Sequence, residues 1–160
     1  GDLSFLTQMT WQFEDTVALF EGTKVSSNGE DGEPIWVGDF NIEWTKGEWS
    51  VFWNIEAIQH TSDIADFIDA NGTTCPNNVI FEQPACRDLI AESKVYHSLS
   101  VTREWDDWRI TAGMANILDE EPPRVTTANL GEITTVGRNP FTSNYDYYGR
   151  RAFLSVSKKF

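Results

Sequence analysis

The sequence predicts an all-β protein, an antiparallel transmembrane β-barrel segment of about six strands. Three observations support this fold class. Apolar and polar residues alternate with a period of two in six segments, short and long connections between these segments alternate strictly, and tryptophans flank both short connections. Each segment has roughly 10–13 residues, about the length that a tilted strand needs to cross a bilayer.

The six predicted strands place apolar residues at every second position. In chain order these residues are Leu3, Phe5, Met9, Trp11 and Phe13; Trp36, Phe40, Ile42 and Trp44; Trp49, Val51, Trp53, Ile55 and Ala57; Val95, Leu99, Val101 and Trp105; Trp108, Ile110, Ala112 and Met114; and Ala152, Leu154, Val156 and Phe160. Leu6, Phe52 and Ile58 are apolar exceptions among the residues between them. Because successive side chains of a strand point to opposite faces, the pattern predicts one apolar and one polar face.

The polar face is assigned to the barrel lumen. Its predicted lumen-facing residues are Asp39, Asn41, Glu43, Asn54, Glu56, Glu104 and Arg109. If residues 106–107 form a two-residue turn, Glu104 lies opposite Arg109. The same register pairs Trp105 with Trp108, Thr102 with Thr111 and Val101 with Ala112. A shift of one residue would move every one of these side chains to the other face.

The connections alternate in length. The second and third strands are joined by residues 45–48, and the fourth and fifth by residues 106–107. The other three connections are long and cover about 21–35, 63–94 and 117–149. A membrane barrel separates short periplasmic turns from long extracellular loops in this way.

Large aromatic residues beside the short turns form a predicted girdle on the apolar face. Its members are Trp44, Trp49, Trp105, Trp108 and Phe160. At a lipid–water boundary such rings place their flat faces in hydrocarbon and their N–H groups among headgroups. Lys158 shares the apolar parity and can extend its charge to the interface. The alternative is a β-sandwich whose tryptophans close one end of a core, but the long strands favour the membrane.

The composition limits the partners. The chain of 160 residues has 12 Lys and Arg against 25 Asp and Glu, a formal net charge of -13. No nucleic-acid partner is expected, because phosphate binding needs a basic face. With 7 Trp, 10 Phe and 4 Tyr, the chain is too aromatic for an acidic disordered protein. No apolar run reaches the length of a membrane helix.

Six strands are too few to close a barrel, since about eight is the smallest common closed form. The chain therefore has two more strands within its loops or belongs to a larger barrel. In the second case, residues 1–160 alone should not form a stable barrel, because two sheet edges would remain unpaired.

Three segments carry a resemblance to a known family. The segment "NYDYYGRRAFLSVSKKF" resembles the last strand of TonB-dependent outer-membrane receptors, with Tyr-Asp, then Gly-Arg, then an alternating strand that ends in phenylalanine. The segment "WRITAGMANILDEEPPRV" is similar to the penultimate strand of that family. Its matching residues are Asn116, Asp119, Glu121, Pro122 and Pro123. The segment "PIWVGDFNIEWTKGEWSVFW" is similar to the preceding hairpin, so the resemblance covers nearly the whole chain.

The resemblance implies the C-terminal part of a 22-stranded barrel in the outer membrane of a Gram-negative bacterium. It implies a receptor that imports a scarce ligand, such as a siderophore, vitamin, glycan or peptide, and not an enzyme. The implied partners are the rest of the barrel and its plug domain, the TonB complex through the plug, the lipid bilayer, and the barrel assembly machinery through Phe160. Two alternatives remain: a complete small outer-membrane barrel with a structural or porin-like role, and a soluble carbohydrate-binding β-sandwich.

The remaining polar motifs predict a disulfide and no cofactor. Cys75 and Cys86 lie in the long connection 63–94, where an oxidising compartment favours a disulfide over two free thiols. His60 and His97 have different parities, so a metal pair is not predicted. The acidic runs within 63–69 and 119–121 lack recognisable calcium-ligand spacing and are interpreted as solvated surface. No catalytic set of residues converges, and the ligand-binding residues are not predicted.

Overall fold

The computed structural model describes residues 1–20, 22–30, 33–62, 79–80, 83–84, 90–125, 139–140 and 144–160. All regular structure in these ranges is β. The strands are β1 (Asp2–Trp11), β2 (Thr16–Phe20), β3 (Thr23–Ser26), β4 (Trp36–Lys46), β5 (Trp49–Ile58), β6 (Thr61–Ser62), β7 (Val79–Ile80), β8 (Gln83–Pro84), β9 (Ile90–Ala91), β10 (Lys94–Trp105), β11 (Trp108–Ala115), β12 (Arg124–Val125), β13 (Asn139–Pro140) and β14 (Arg151–Lys158). Within the described ranges, no helix is long and apolar enough to span a membrane.

Six strands form one antiparallel sheet in the order β1-β4-β5-β10-β11-β14. These are the six strands that the alternation predicts, and each pairs with the next of them along the chain. The sheet does not close into a barrel: in the described part of the chain, β1 and β14 each pair with a single neighbour. The two edges of the sheet are therefore open.

The β10–β11 hairpin has the predicted register. Trp105 lies opposite Trp108, Glu104 opposite Arg109, Thr102 opposite Thr111 and Val101 opposite Ala112. Asp106 opens the two-residue turn with a φ of 49°, in the left-handed region that Asp tolerates better than most residues. The hairpin prediction is confirmed.

The β4–β5 hairpin is tighter than predicted. Thr45 pairs with Ser50 and Lys46 pairs with Trp49, so both strands continue through what the sequence suggested was a four-residue connection. The turn contains two residues, and the first of them, Gly47, has a φ of 59°. A glycine adopts this conformation without steric cost, and this allows the shorter turn.

The first predicted strand and first long connection also need correction. β1 ends at Trp11, and Phe13 beyond it is 86% exposed. The chain then forms the β2–β3 hairpin: β2 follows the last residues assigned to the first predicted strand, and β3 lies within the predicted long connection at about 21–35. Gly22, with a φ of 88°, allows the tight reversal between these strands.

The buried apolar cluster lies at the end of the sheet away from the short turns. It consists of Ile58, Ala91, Tyr96, Val125 and Tyr145. Ile58 and Tyr96 belong to the polar face of the sheet, so the long connections pack against that face. The Tyr145 hydroxyl donates to the Gln59 carbonyl at 3.2 Å and ties the segment before β14 to the end of β5. Among the described residues, apolar side chains of the sheet such as Leu3, Met9 and Leu154 remain more than half exposed outside this cluster.

Candidate functional site

The sheet has one continuous apolar face. Cross-strand partners share a face, and one row across all six strands contains Leu3, Trp44, Val51, Val101, Ala112 and Leu154. Leu3 is 56% exposed and Leu154 is 71% exposed. Thus the residues that a globular protein would bury lie on an uncovered surface.

The four tryptophans predicted as a girdle all lie on this face, at the end of the sheet that carries the short turns. Successive turns are hydrogen-bonded to the neighbouring strands, since the Glu48 carbonyl accepts from the Glu104 amide at 2.8 Å and the Asp107 carbonyl accepts from the Lys159 amide at 2.9 Å. Both turns therefore lie at the same end of the sheet. Phe160 is fully exposed beside them. We call Trp44, Trp49, Trp105, Trp108 and Phe160 the turn-side belt.

Two cations contact rings of the turn-side belt. The Arg103 guanidinium lies 5.2 Å from the Trp49 ring centre and 4.9 Å from that of Trp105. Its Nε and Nη2 also donate to Glu48 Oε2 at 3.2 and 3.1 Å. Lys158 Nζ lies 4.9 Å from the Trp108 ring. These cation–π contacts keep positive charge against the rings at the rim of the apolar face.

Sequence reasoning identified Lys158 on the apolar face but missed Arg103. The available signal was parity, because Arg103 lies between Val101 and Trp105 on the apolar face of one strand. Its pairing with Trp49 depends on the β5–β10 register, which the sequence pattern alone did not define.

The turn-side belt runs obliquely across the strands. Trp49 pairs with Lys46, two residues beyond Trp44, and Trp105 lies two residues beyond Arg103, the partner of Trp49. From β4 to β11 the belt thus moves four residues (two plus two) over three strand spacings. With about 3.3 Å per residue and about 4.8 Å between strands, a level belt requires a strand tilt of roughly 40°. Membrane barrels have tilts of about 35–45°.

A second aromatic pair lies at the other end of the same face. Trp11 and Trp36 are cross-strand partners. Trp36 precedes Trp44 by eight positions in β4, which is about 26 Å along the strand and about 20 Å in height at such a tilt. Outer-membrane barrels carry an apolar band of about 25 Å between two aromatic girdles. This second aromatic pair could have been predicted from the sequence, because the alternation places both Trp11 and Trp36 on the apolar face.

All seven residues predicted to face the lumen lie together on the opposite, polar face. Several of them pair with one another: Asn54 Nδ2 donates to Asn41 Oδ1 at 2.9 Å and to Asp39 Oδ1 at 3.3 Å. Arg109 Nε lies 2.7 Å from Glu104 Oε1. This face satisfies its polar groups largely within itself.

The polar face also contains a close aromatic–glycine pair that sequence reasoning missed. Phe153 lies opposite Gly113, and its ring covers the glycine. A Cβ atom at Gly113 would lie 2.4 Å from Phe153 Cζ and 2.8 Å from Ser100 Cβ. Packing an aromatic ring over a glycine stabilises a strand position that otherwise lacks a side chain.

Two of the segments singled out in the sequence, the turn after β11 and the residues before β14, meet in space. Asn116 is 2% exposed; its Nδ2 donates to the Glu120 carbonyl at 2.9 Å and its Oδ1 accepts from the Glu120 amide at 2.8 Å. Asp119 Oδ1 in turn accepts from the Arg150 amide at 3.1 Å. The Asn-x-x-Asp turn after β11 is thereby tied to the Gly-Arg that precedes β14.

The other predicted features have simpler outcomes. Cys75 and Cys86 lie outside the described residues, so the disulfide stays a prediction. His97 accepts a hydrogen bond at Nδ1 from Trp53 Nε1 at 3.3 Å. Among the residues that the structure describes, no three His, Cys, Asp or Glu side chains are grouped as metal ligands.

Comparison with known proteins finds no matching family model, no matching curated protein and no matching solved structure.

Proposed function

We propose that this chain forms part of the wall of an outer-membrane β-barrel in a Gram-negative bacterium, within a TonB-dependent receptor that imports a scarce ligand. The observation that carries the proposal is the exposed apolar face bounded by the turn-side belt. Removing apolar surface from water is favourable by about 25 cal/mol per Å². A face of this extent therefore needs a partner. Lipid fits, because aromatic rings and cations aligned at one height match the boundary between hydrocarbon and headgroups.

A soluble β-sandwich is a weaker explanation. A sandwich would cover the apolar face with a second sheet about 10 Å away. Within the described residues, the strands outside the main sheet form four separate two-stranded pieces. They leave the apolar face exposed, as Leu3, Phe5 and Leu154 illustrate.

A larger barrel is favoured over a complete small one by the open edges of the sheet. The unpaired backbone groups of β1 and β14 would each cost several kcal/mol in hydrocarbon, by the general estimate for lipid-exposed polar groups. Neighbouring strands from the rest of a barrel would satisfy them. The receptor class itself rests on the resemblance of the segments that contain the β4–β5 hairpin, β11 and β14. In that class, the short turns face the periplasm and the plug domain connects the barrel to TonB.

The membrane part of the proposal is tested by fluorescent labels on neighbouring residues of β14. The complete protein that contains this chain, with its native cysteines replaced by serine, receives a single cysteine-linked fluorophore at Leu154 or at Ser155 and is reconstituted in liposomes. Nitroxide-labelled lipids should quench the label at Leu154 several-fold more strongly than the label at Ser155. If nitroxide-labelled lipids quenched neither label, the membrane assignment would be wrong and the soluble sandwich would be supported instead.

The receptor part is tested separately with the complete protein. We expect it to bind the purified periplasmic domain of TonB and to leave liposomes impermeable to small solutes. A porin-like barrel would show the opposite pair of results, with passive solute flux and no TonB binding. The proposal that this chain is part of a barrel wall would survive that outcome, whereas the proposal of a TonB-dependent receptor would not.

A further inference from the structure

The apolar face ends at the short turns in a row of hydrogen-bond donors. The indole N–H groups of Trp49, Trp105 and Trp108 make no hydrogen bond within the described residues, and an indole has no acceptor. The charged side chains on this face of the six strands are the cations Lys46, Arg103 and Lys158. Donors and positive charge at one level are complementary to a ligand that carries acceptors and negative charge.

One of the three cations is already paired. Arg103 donates to Glu48 through both Nε and Nη2, and its guanidinium lies against the rings of Trp49 and Trp105. The Glu48 carboxylate is thereby occupied. Arg103 therefore positions the rings and contributes little free charge to a ligand.

Lys158 differs from Arg103 because it has no acceptor. Its Nζ lies 4.9 Å from the Trp108 ring centre and 5.5 Å from the Phe160 ring centre, and it makes no hydrogen bond or ion pair within the described part of the chain. The neighbouring turn carries Asp106 and Asp107, but neither carboxylate is paired with Lys158. An ammonium has three donors, so Lys158 and the Trp108 N–H offer several donors on one side of β14.

The position of Lys158 favours a phosphate that has no cation attached to it. Arg103 and Lys158 already lie against the rings of Trp49, Trp105 and Trp108. A headgroup with its own ammonium would add a further positive charge beside Lys158, whereas an anionic headgroup adds none. Charge therefore distinguishes between the two kinds of phospholipid at this place.

We propose that Lys158 and the Trp108 N–H bind the phosphate of an anionic phospholipid of the phosphatidylglycerol type. The lipid chains then lie along the apolar face, and the phosphate lies at the height of the turn-side belt, where headgroups begin. The inference rests on the proposed membrane placement of this face and adds a preferred lipid to it.

The test measures the lipids that surround Lys158. The complete protein that contains this chain, with its native cysteines replaced by serine, carries one cysteine-linked fluorophore at Val156, two positions from Lys158 on the same face of β14. Its liposomes contain equal amounts of phosphatidylcholine and phosphatidylglycerol, and only one of the two lipids at a time carries a nitroxide on its acyl chain. The ratio of the two quenching constants gives the local preference. For the wild type we expect phosphatidylglycerol to be preferred about fivefold, the effect of one cation near an anionic headgroup.

Variants of Lys158 and its neighbours locate the site. Lys158→Gln should bring the preference close to one, whereas Lys158→Arg should keep it, since a guanidinium also binds phosphate. Trp108→Phe should lower it less, because the ring remains and only the N–H donor is lost. The matched control is Lys159→Gln, which removes the same charge one residue further along, at the opposite parity, and should leave the preference unchanged.

Four results would overturn the proposal. Equal quenching by the two lipids in the wild type would exclude the headgroup preference and leave the membrane placement intact. A preference that Lys158→Gln leaves unchanged would mean that Lys158 does not bind the phosphate. Equal losses in Lys158→Gln and Lys159→Gln would indicate a general attraction to surface charge and no site. No quenching by either lipid would overturn both the preference and the membrane placement of the apolar face.

Discussion

The two faces of this sheet share one ladder of backbone hydrogen bonds, but their side chains are stabilised in different ways. On the polar face, Asn54 donates to both Asn41 and Asp39, and Thr102 pairs with Thr111 at 2.8 Å. On the apolar face, large residues such as Leu154 contact little protein and remain exposed. The polar face is stabilised by internal contacts, whereas the apolar face depends on its surroundings.

The distribution of charge sharpens this contrast. The chain has a formal net charge of -13, yet the charged side chains on the apolar face of the six strands are the cations Lys46, Arg103 and Lys158. All three lie at the turn end, level with the belt. Cations at this level suit anionic headgroups, and their long stems cover the rings. Under the proposed membrane placement, the two faces would differ in solvent.

The largest expected effect follows from placing a charge in the middle of the apolar face. Ile42 lies between the two aromatic levels and opposite Phe5 and Trp53. Ile42→Arg should lower the free energy of unfolding in lipid vesicles by about 2–4 kcal/mol, the cost of a cation near the bilayer midplane. Urea titration of vesicle-bound protein measures this change.

The matched control is Glu43→Arg, which places the same side chain on the polar face one residue away. Glu43 is exposed, so the free energy of unfolding should change by no more than about 0.5 kcal/mol. Equal effects of the two variants would contradict the assignment of the two faces to different solvents.

A smaller effect is expected where the polar face is tightly packed. Gly113→Val would bring Cβ against the Phe153 ring, which is able to swing away, and against Ser100 Cβ, which is one bond from the backbone. The free energy of unfolding should fall by about 1–3 kcal/mol, as for other overpacked sites. Denaturant titration in detergent provides the measurement.

Ala112→Val is the control for this overpacking, since Ala112 lies next to Gly113 on the opposite, exposed face of β11. It should change the stability little. Adding Phe153→Ala to Gly113→Val should restore part of the loss. If the two valine variants were equally destabilising, the loss would come from the strand itself and not from the ring.

The sequence pattern predicted the sheet well wherever the paired residues are close together in the chain. The β10–β11 register follows from a two-residue turn, and parity then assigns each side chain to a face. The six long strands were likewise recognised from their alternation. Period-two patterning is a direct consequence of strand geometry and needs no knowledge of the remaining chain.

The sequence pattern failed where the outcome depends on residues far apart in the chain. The contacts of Arg103 with Trp49 and of Phe153 with Gly113 require registers across long connections. The burial of Tyr145 requires that the segment before β14 folds back over the polar face, as its bond to Gln59 shows. The β2–β3 hairpin is short, so its alternation is weaker than the signal of the long strands.

The smallest expected effect tests whether water reaches the polar face. Glu104 and Arg109 are cross-strand partners at 2.7 Å, but their side chains are 57% and 64% exposed. A double-mutant cycle with alanine should give a coupling free energy of about 0.2–1 kcal/mol, because solvent screens exposed pairs. Raising the salt concentration from about 0.05 M to about 1 M should reduce it, since the Debye length falls to about 3 Å. The uncharged pair Thr102 and Thr111 lies two positions along each strand, and its coupling should not respond to salt. A Glu104–Arg109 coupling that is large and insensitive to salt would place this pair in a dehydrated environment, and the polar face would then be no better solvated than the apolar one.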